Sequence, residues 1–268
     1  AQQRLLDALE EAGISGILEA EAIPLDELAL GRVLAEPVWA KISSPHYHAS
    51  AMDGFAVRAR ETEGALATAP ISMKYDEQTV YIDTGDPLPG WANAVIPIEN
   101  VEPLNAEGQV AADTRQPDAI RIREAVPPWS HVRPMGEDMV ATQLVLPTGH
   151  TLRPVDLGAI AGCGHAHVQV ARRPRVAVIP TGTELVEIGQ PVESGDIIEY
   201  NSMVMAAQVE SWGGQATRYP ITPDIFEQIR DTVVEAAQEH DLILLNAGSS
   251  AGSEDFSASV VEALGDLL

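Results

Sequence analysis

Three acids, Glu184, Asp224 and Asp255, each stand just past a short apolar run, at residues 175–180, 216–221 and 241–245. Crowded carboxylates repel one another, and they are commonly held by a hard cation such as Mg2+, which takes oxygen ligands and substrate phosphate together. Small residues flank two of these junctions. Thr181, Gly182 and Thr183 precede Glu184, and Gly248, Ser249, Ser250, Gly252 and Ser253 precede Asp255. The N–H groups of such residues can approach a phosphate ahead of a helix N-terminus. The chemistry written here is an anion or metal crevice. Each member also has a plainer use. Asp224 and Asp255 serve equally well as helix N-caps, and Gly248 and Gly252 as turn glycines. Glu184 has no capping use unless a helix starts there.

The elements that must position these acids follow from the pattern. Residues 175–180 form an apolar run ended by a turn, which predicts a strand buried on both faces. Asn201 is placed to cap a helix bearing Met205, Val209 and Trp212 and stopped by Gly213-Gly214. A helix over 224–239 repeats the stripe with Ile225, Ile229, Val233 and Ala236, and a third carries Phe256, Val260 and Leu264. Strands alternating with helices predict a parallel sheet with right-handed crossovers. Such a sheet brings all three acid-bearing loops to its carboxyl edge, where open α/β sheets bind ligands. Arg172, Arg173 and Arg175 fall at the opposite end, where a solvated surface is expected.

Upstream, helices are expected over 2–12, with Leu5, Leu6 and Leu9 on one face, and over 24–31, with Pro24 near its start. Residues 42–136 change character, with recurrent Pro and Gly between short apolar runs, which argues a β-rich domain. Residues 103–118 are expected to be a loop or hairpin tip. A helix opening at Pro154 and a strand over 165–170 follow. The fold class expected is multi-domain: a C-terminal three-layer α/β domain with a parallel sheet, an inserted β-rich domain and a small helical linker domain. Residues 1–44 and 137–170 are assigned to the linker domain, 45–136 to the inserted domain and 171–268 to the α/β domain. Within the β-rich part, residues 50–58 read as a turn feeding a strand, and 83–89 and 133–138 as rigid polar turns. His46 with His48, and His165 with His167, have spacings that suit a metal but also simple strand alternation.

Composition narrows the partners. The net charge is −24, from 40 acids against 16 Lys and Arg, and only Lys41 and Lys74 are lysines. Such a field repels phosphate backbones, so nucleic acid is not expected as a partner. Solubility explains the excess acid, and a salt-rich host is the weaker explanation. No apolar segment approaches the ~18 residues of a membrane span, and no leader is visible, so a cytoplasmic address is expected. Cys163, the single cysteine, cannot pair within the chain and reads as a small buried filler.

The motifs then meet a family. Ser50-Ala51-Met52-Asp53-Gly54-Phe55-Ala56-Val57-Arg58, Thr84-Gly85-Asp86-Pro87-Leu88-Pro89, Gly136-Glu137-Asp138 and Thr181-Gly182-Thr183-Glu184-Leu185 occur in that order, with Gly31-Arg32-Val33-Leu34 upstream. The chain resembles the molybdopterin molybdenumtransferases, the bacterial MoeA and gephyrin E-domain family. The resemblance implies insertion of molybdate into the dithiolene of adenylylated molybdopterin, with a divalent cation such as Mg2+ and release of AMP. It implies a homodimer whose cleft joins the α/β domain of one subunit to the β-rich domain of the other.

By motif, the resemblance gives Asp53, Asp138, Glu184, Asp224 and Asp255 catalytic positions, the last three also holding metal. Thr84 and Arg133 match cleft positions, Arg133 balancing phosphate or molybdate charge. Thr181, Gly182, Thr183, Gly248, Ser249, Ser250, Gly252 and Ser253 would cradle phosphate or pterin. Gly248-Ser249-Ser250-Ala251 departs from the family's Gly-Gly-Val-Ser. The pattern also stops ahead of the family's Pro-Gly-Lys-Pro-like loop and C-terminal β-barrel, so the resemblance implies a truncated chain. The competing readings are a pterin-binding or scaffold module without turnover and, more weakly, a Mg2+-dependent phosphatase.

Overall fold

The computed structural model describes residues 2–13, 16–247 and 256–266. Contacts divide the chain into two compact units, one of residues 1–36, 148–154 and 167–268, the other of 37–147 and 155–166. The second unit is thus inserted in the sequence of the first.

In the first unit, Arg175–Pro180 is the central strand of a parallel sheet, between Gln215–Arg218 and Leu242–Asn246. The register runs Val176 opposite Ala216 on one side and opposite Leu242 on the other. Val176 to Pro180 are all buried, as the continuous apolar run requires. Ala177 and Ile179 pack with Ala236 and Val233 of the helix Phe226–Ala237. Side chains alternate along a strand, so Val176 and Val178 face the opposite layer, where the helix Asn201–Ser211 lies against this strand and buries Val209. Helices therefore cover both faces, the three-layer α/β arrangement.

Several local expectations are corrected. Residues 24–31 are not a helix. Ala20–Pro24 is a strand paired antiparallel with His167–Ala171, and only a 3-10 turn, Glu27–Ala29, follows. Pro24 sits at the strand's end, where a missing N–H is tolerated, and Asp26 caps the turn by accepting from Leu28 N at 2.9 Å. Asn201 opens its helix without capping it. The cap comes from Glu199, whose carboxylate accepts from Ser202 N at 2.7 Å. Trp212 is 79% exposed, because the stripe ends at Val209. Arg172 is not a solvated surface residue. Its fork grips Asp241 through two bonds of 2.6 and 2.9 Å and reaches Glu19 at 2.9 Å. Asp241 also accepts from Arg175 N at 2.7 Å, so the clasp ties the amino ends of two neighbouring strands.

The inserted unit is β-rich. Gly54–Val57 pairs antiparallel with Thr79–Ile82 and Ala94–Pro97, and Ala119–Ile122 lies between Ile71–Lys74 and Val101–Leu104. One core of Phe55, Val57, Met73, Ile96, Ile120 and Ile122 draws on both sheets. Gly54 is required there, since a Cβ would stand 2.1 Å from Ile96 O. Cys163 is buried, as expected of a filler.

Two outcomes follow. Asp241 is held at a pKa of about 2, chiefly by its bonds to Arg172, against about 3.9 when unfolded. Open in part to water, the clasp is screened and contributes about 1 kcal/mol, complete above about pH 4 and lost as pH falls through about 2. Asp241→Asn should cost that much at pH 7 in denaturant unfolding, with the gap closing in this window. A gap equal at pH 7 and pH 2 contradicts it. Secondly, exposed ion pairs are each worth about 0–1 kcal/mol, whereas a net charge of −24 repels across the whole surface. The thermal midpoint should rise between about 0.1 and about 2 M KCl, and a falling midpoint would show that ion pairs outweigh the repulsion.

Candidate functional site

Each unit carries its own set of polar residues. In the parallel sheet the central strand lies between its two sequence successors, so the strand order reverses between Arg175–Pro180 and Leu242–Asn246. Such a switch point opens a crevice outside the carboxyl ends. The loop that leaves Pro180 there is tightly held. Thr181 N donates to Asn246 O at 2.9 Å, Gly182 N to Thr222 O at 3.1 Å, and Thr222 N to Pro180 O at 2.9 Å. Thr183 N donates to the Asp224 carboxylate at 3.2 Å, and Asp224 N donates to Thr183 Oγ1 at 3.4 Å.

The three amides of Thr181, Gly182 and Thr183 are therefore engaged within the protein. Thr181 is buried, while Thr183 is exposed and Glu184 half-buried. A Cβ on Gly182 would lie 2.7 Å from Leu185 Cγ and 3.1 Å from Glu184 Oε2, so a larger residue would collide with Leu185 and crowd Glu184. Asp224 does not cap its helix, which has no side-chain cap at all. Its carboxylate secures the neighbouring loop. Glu184 and Asp224 thus arrive at one sheet edge on interlocked loops. Gly248, Ser249, Ser250, Gly252, Ser253 and Asp255 lie outside the described residues. Among the described residues no group of three or more His, Cys, Asp or Glu side chains is close enough to hold a metal ion. Glu184 and Asp224 supply hard oxygen donors that suit Mg2+ or a similar cation.

In the inserted unit three turns are laced together. Ser50 N donates to Asp86 O and Gly85 N to Ser50 O, both at 2.9 Å, and Ala49–Ser50 pairs with Val132–Arg133. Asp53 accepts at one oxygen from Thr84 N at 2.8 Å and Thr84 Oγ1 at 2.7 Å. The Thr84 hydroxyl, then the Thr84 amide, lower the Asp53 pKa. Arg133 donates to Glu137 at 2.8 Å and to both oxygens of Asp138 at 3.1 and 3.0 Å. Glu137 first, and then Asp138, raise its pKa. The guanidinium is more than neutralised by these two acids, which leaves the trio with a net charge of −1.

Sequence reasoning missed Glu137, although its spacing of four from Arg133 was visible. It also missed the role of His48, whose Nδ1 accepts from Met135 N at 2.9 Å and so pins the 133–138 turn. That bond occupies one nitrogen of the His46–His48 pair, and Trp39 O lies 2.9 Å from His165 Nε2. A cleft of about 790 Å³ lies elsewhere in this unit, lined by Arg58, Trp91, Asn93 and Trp129 among others.

Comparison with known proteins defines the class. Residues 1–164 match the MoeA N-terminal region (domain I and II), and 177–268 match a probable molybdopterin binding domain. The chain is 35% identical over 246 residues to molybdopterin molybdenumtransferase 2 of Mycobacterium tuberculosis, covering 86% of this chain and 58% of that protein. It is 30% identical over 259 residues to the molybdopterin molybdenumtransferase of Haemophilus influenzae, covering 93% and 61%. A crystal structure of a molybdopterin biosynthesis MoeA protein from Pyrococcus horikoshii superposes with a TM-score of 0.81 at 28% identity, covering 97% of this chain and 66% of that one. The chain belongs to the MoeA family. It spans about three fifths of the length of these curated relatives.

The Asp53–Thr84 pair can be tested alone. Thr84→Val removes the hydroxyl donor and keeps the amide. The Asp53 carboxyl should then titrate closer to the ordinary aspartate value in an NMR pH series, and an unchanged titration would show that the hydroxyl bond contributes nothing in solution.

Proposed function

We propose that this chain carries the molybdate-inserting activity of molybdenum cofactor biosynthesis, accepting adenylylated molybdopterin and molybdate and releasing AMP. The observation that carries the reading is the arrival of Glu184 and Asp224 on interlocked loops at the carboxyl edge of a parallel sheet, within a region that matches a molybdopterin binding domain. Glu184, Asp224 and Asp255 are the acids assigned to the ligand and to a divalent cation, taken as Mg2+. When bound, that cation would offset their charge beside the substrate phosphate. The carboxylates supply the oxygens. Thr183 orients Asp224, and Gly182 leaves room for Glu184. Residues 248–253 are assigned to phosphate or pterin.

Asp53 and Asp138 are the groups assigned to the cleft from the β-rich part. Thr84 fixes the first and Arg133 the second through its paired bonds. Charge count supports this role for Arg133: two acids already neutralise it, so it acts as a holder of Asp138. As an oxyanion receptor it would first have to leave them. In this reading the active assembly is a homodimer in the cytoplasm, with the α/β part of one subunit facing the β-rich part of the other. Residues 1–44 with 137–170, 45–136 and 171–268 would be its structural parts. No nucleic acid or membrane partner is expected.

The test is molybdate-dependent AMP release from adenylylated molybdopterin. Glu184→Gln and Asp224→Asn should each lower it at least about a hundredfold, with thermal midpoints within a few degrees of the parent because an acid on a loop contributes little to stability. Tight pterin binding without AMP release would favour a binding or scaffold module. Inorganic phosphate released from simple esters would favour a phosphatase. Variants that unfold while keeping activity per folded molecule would make the acids structural.

A further inference from the structure

The most completely partnered buried acid in the α/β unit is one the proposed chemistry does not use. Glu199 is 3% exposed and Ser202 is fully buried. One carboxylate oxygen of Glu199 accepts from Ser202 N at 2.7 Å and the other from Ser202 Oγ at 2.6 Å. Arg218, the last residue of the strand Gln215–Arg218, donates from Nε to the same Ser202 Oγ at 2.9 Å. Its Nη2 lies 3.6 Å from Glu199. A guanidinium, a hydroxyl and a carboxylate thus form a relay that closes the helix start at Asn201 and joins it to the sheet.

The relay is continuous with the loop that bears Glu184. Ile197–Ile198 pairs in parallel with Leu185–Val186. Ile197 N donates to Glu184 O, and Glu199 N to Val186 O, both at 2.9 Å. The loop of residues 181–186 therefore hangs from two supports, the Thr183–Asp224 exchange on one side and the segment 197–199 on the other. A buried acid is tolerated only when its lone pairs are satisfied. Here the satisfied acid sits at the foot of the segment that bonds the main chain of Glu184.

We propose that Glu199 is a positioning residue for Glu184, locking the clip of residues 184–186 and 197–199 so that the Glu184 carboxylate is presented in one place. This rests on the assignment of Glu184 to the ligand site. Without the Glu199 carboxylate, Ser202 N–H and Oγ–H lose their acceptor and the Arg218 guanidinium its counter-charge, the clip opens more often, and Glu184 samples positions away from the carboxyl edge of the sheet.

The experiment is a double-mutant cycle on the full chain, with anaerobically prepared molybdopterin as the probe and amide hydrogen exchange read alongside. Glu199→Gln should keep the fold, speed exchange at the residue 197 and 199 amides, and weaken molybdopterin binding about tenfold, the size of one charge-assisted hydrogen bond. In the Glu184→Gln background it should weaken binding no further. Ser202→Ala, which removes only the bridging hydroxyl, should show the same two effects at smaller size and substitutes if Glu199→Gln does not fold. Equal losses in both backgrounds would make Glu199 merely structural, and unchanged exchange at 197 and 199 would remove the mechanism. Either overturns the proposal while leaving Glu184 in the site. If Glu184→Gln itself leaves binding intact, the functional reading fails, and the role of Glu199 with it.

Discussion

Parallel pairing is the constraint on which the α/β unit depends. Arg175–Pro180 bonds to both of its neighbours in the same direction, with Val176 aligned to Ala216 and to Leu242. A strand so placed must release its chain at the same edge as theirs. The loops that follow Pro180 and Arg218 are therefore adjacent without any contact of their own, and the bonds of Thr181, Gly182 and Thr222 then fasten them. The chain beyond Asn246 leaves from the same edge. A slip of one residue would turn the side chains of the central strand over and set Ala177 and Ile179 against the wrong helix layer, so their packing with Val233 and Ala236 also fixes the register.

A chain with 40 acids cannot place carboxylates together without giving each one donors. It does so with backbone and hydroxyl groups as much as with its scarce cations. Asp53 takes two bonds from Thr84, Asp224 one from Thr183, and Glu199 two from Ser202. Arginine is kept for junctions, where a planar fork holds two atoms at once: Arg172 on Asp241, Arg133 on Asp138, Arg218 on the Ser202 relay. Of the acids assigned to chemistry, Asp53 and Asp224 are thus pre-positioned by neutral donors, which leaves their charge available to a cation or substrate, while Asp138 is held by Arg133.

Much of this was legible in the sequence, and what was hidden has a physical reason. The strand Arg175–Pro180 and the β-rich character of residues 42–136 were visible because apolar runs between turn residues report burial directly. The strand-end acids were visible because topology alone puts them at one edge. Partners far apart in the chain were not. Arg172 finds Asp241 69 residues on and Thr183 finds Asp224 41 residues on, so Arg172 looked solvated and Asp224 stood open between a cap and a site acid. Pro24 suggested a helix start, and only its pairing with His167 makes it the end of a strand. Glu199 was passed over because glutamate is rarely buried, although an acid two residues ahead of a helix was a fair signal for a cap. The Asp255 loop lies outside the described residues, and its part rests on the motif.

Recognition of the ligand at the carboxyl edge of the parallel sheet is what the functional reading stands on. Chemical-shift mapping of the isotope-labelled chain, titrated anaerobically with molybdopterin, tests it most directly. The largest shifts should fall at residues 181–186 and 222–224 and in the segment after Asn246. Shifts centred on the Trp91–Trp129 cleft, or at the amino edge around Arg172 and Asp241, would contradict it.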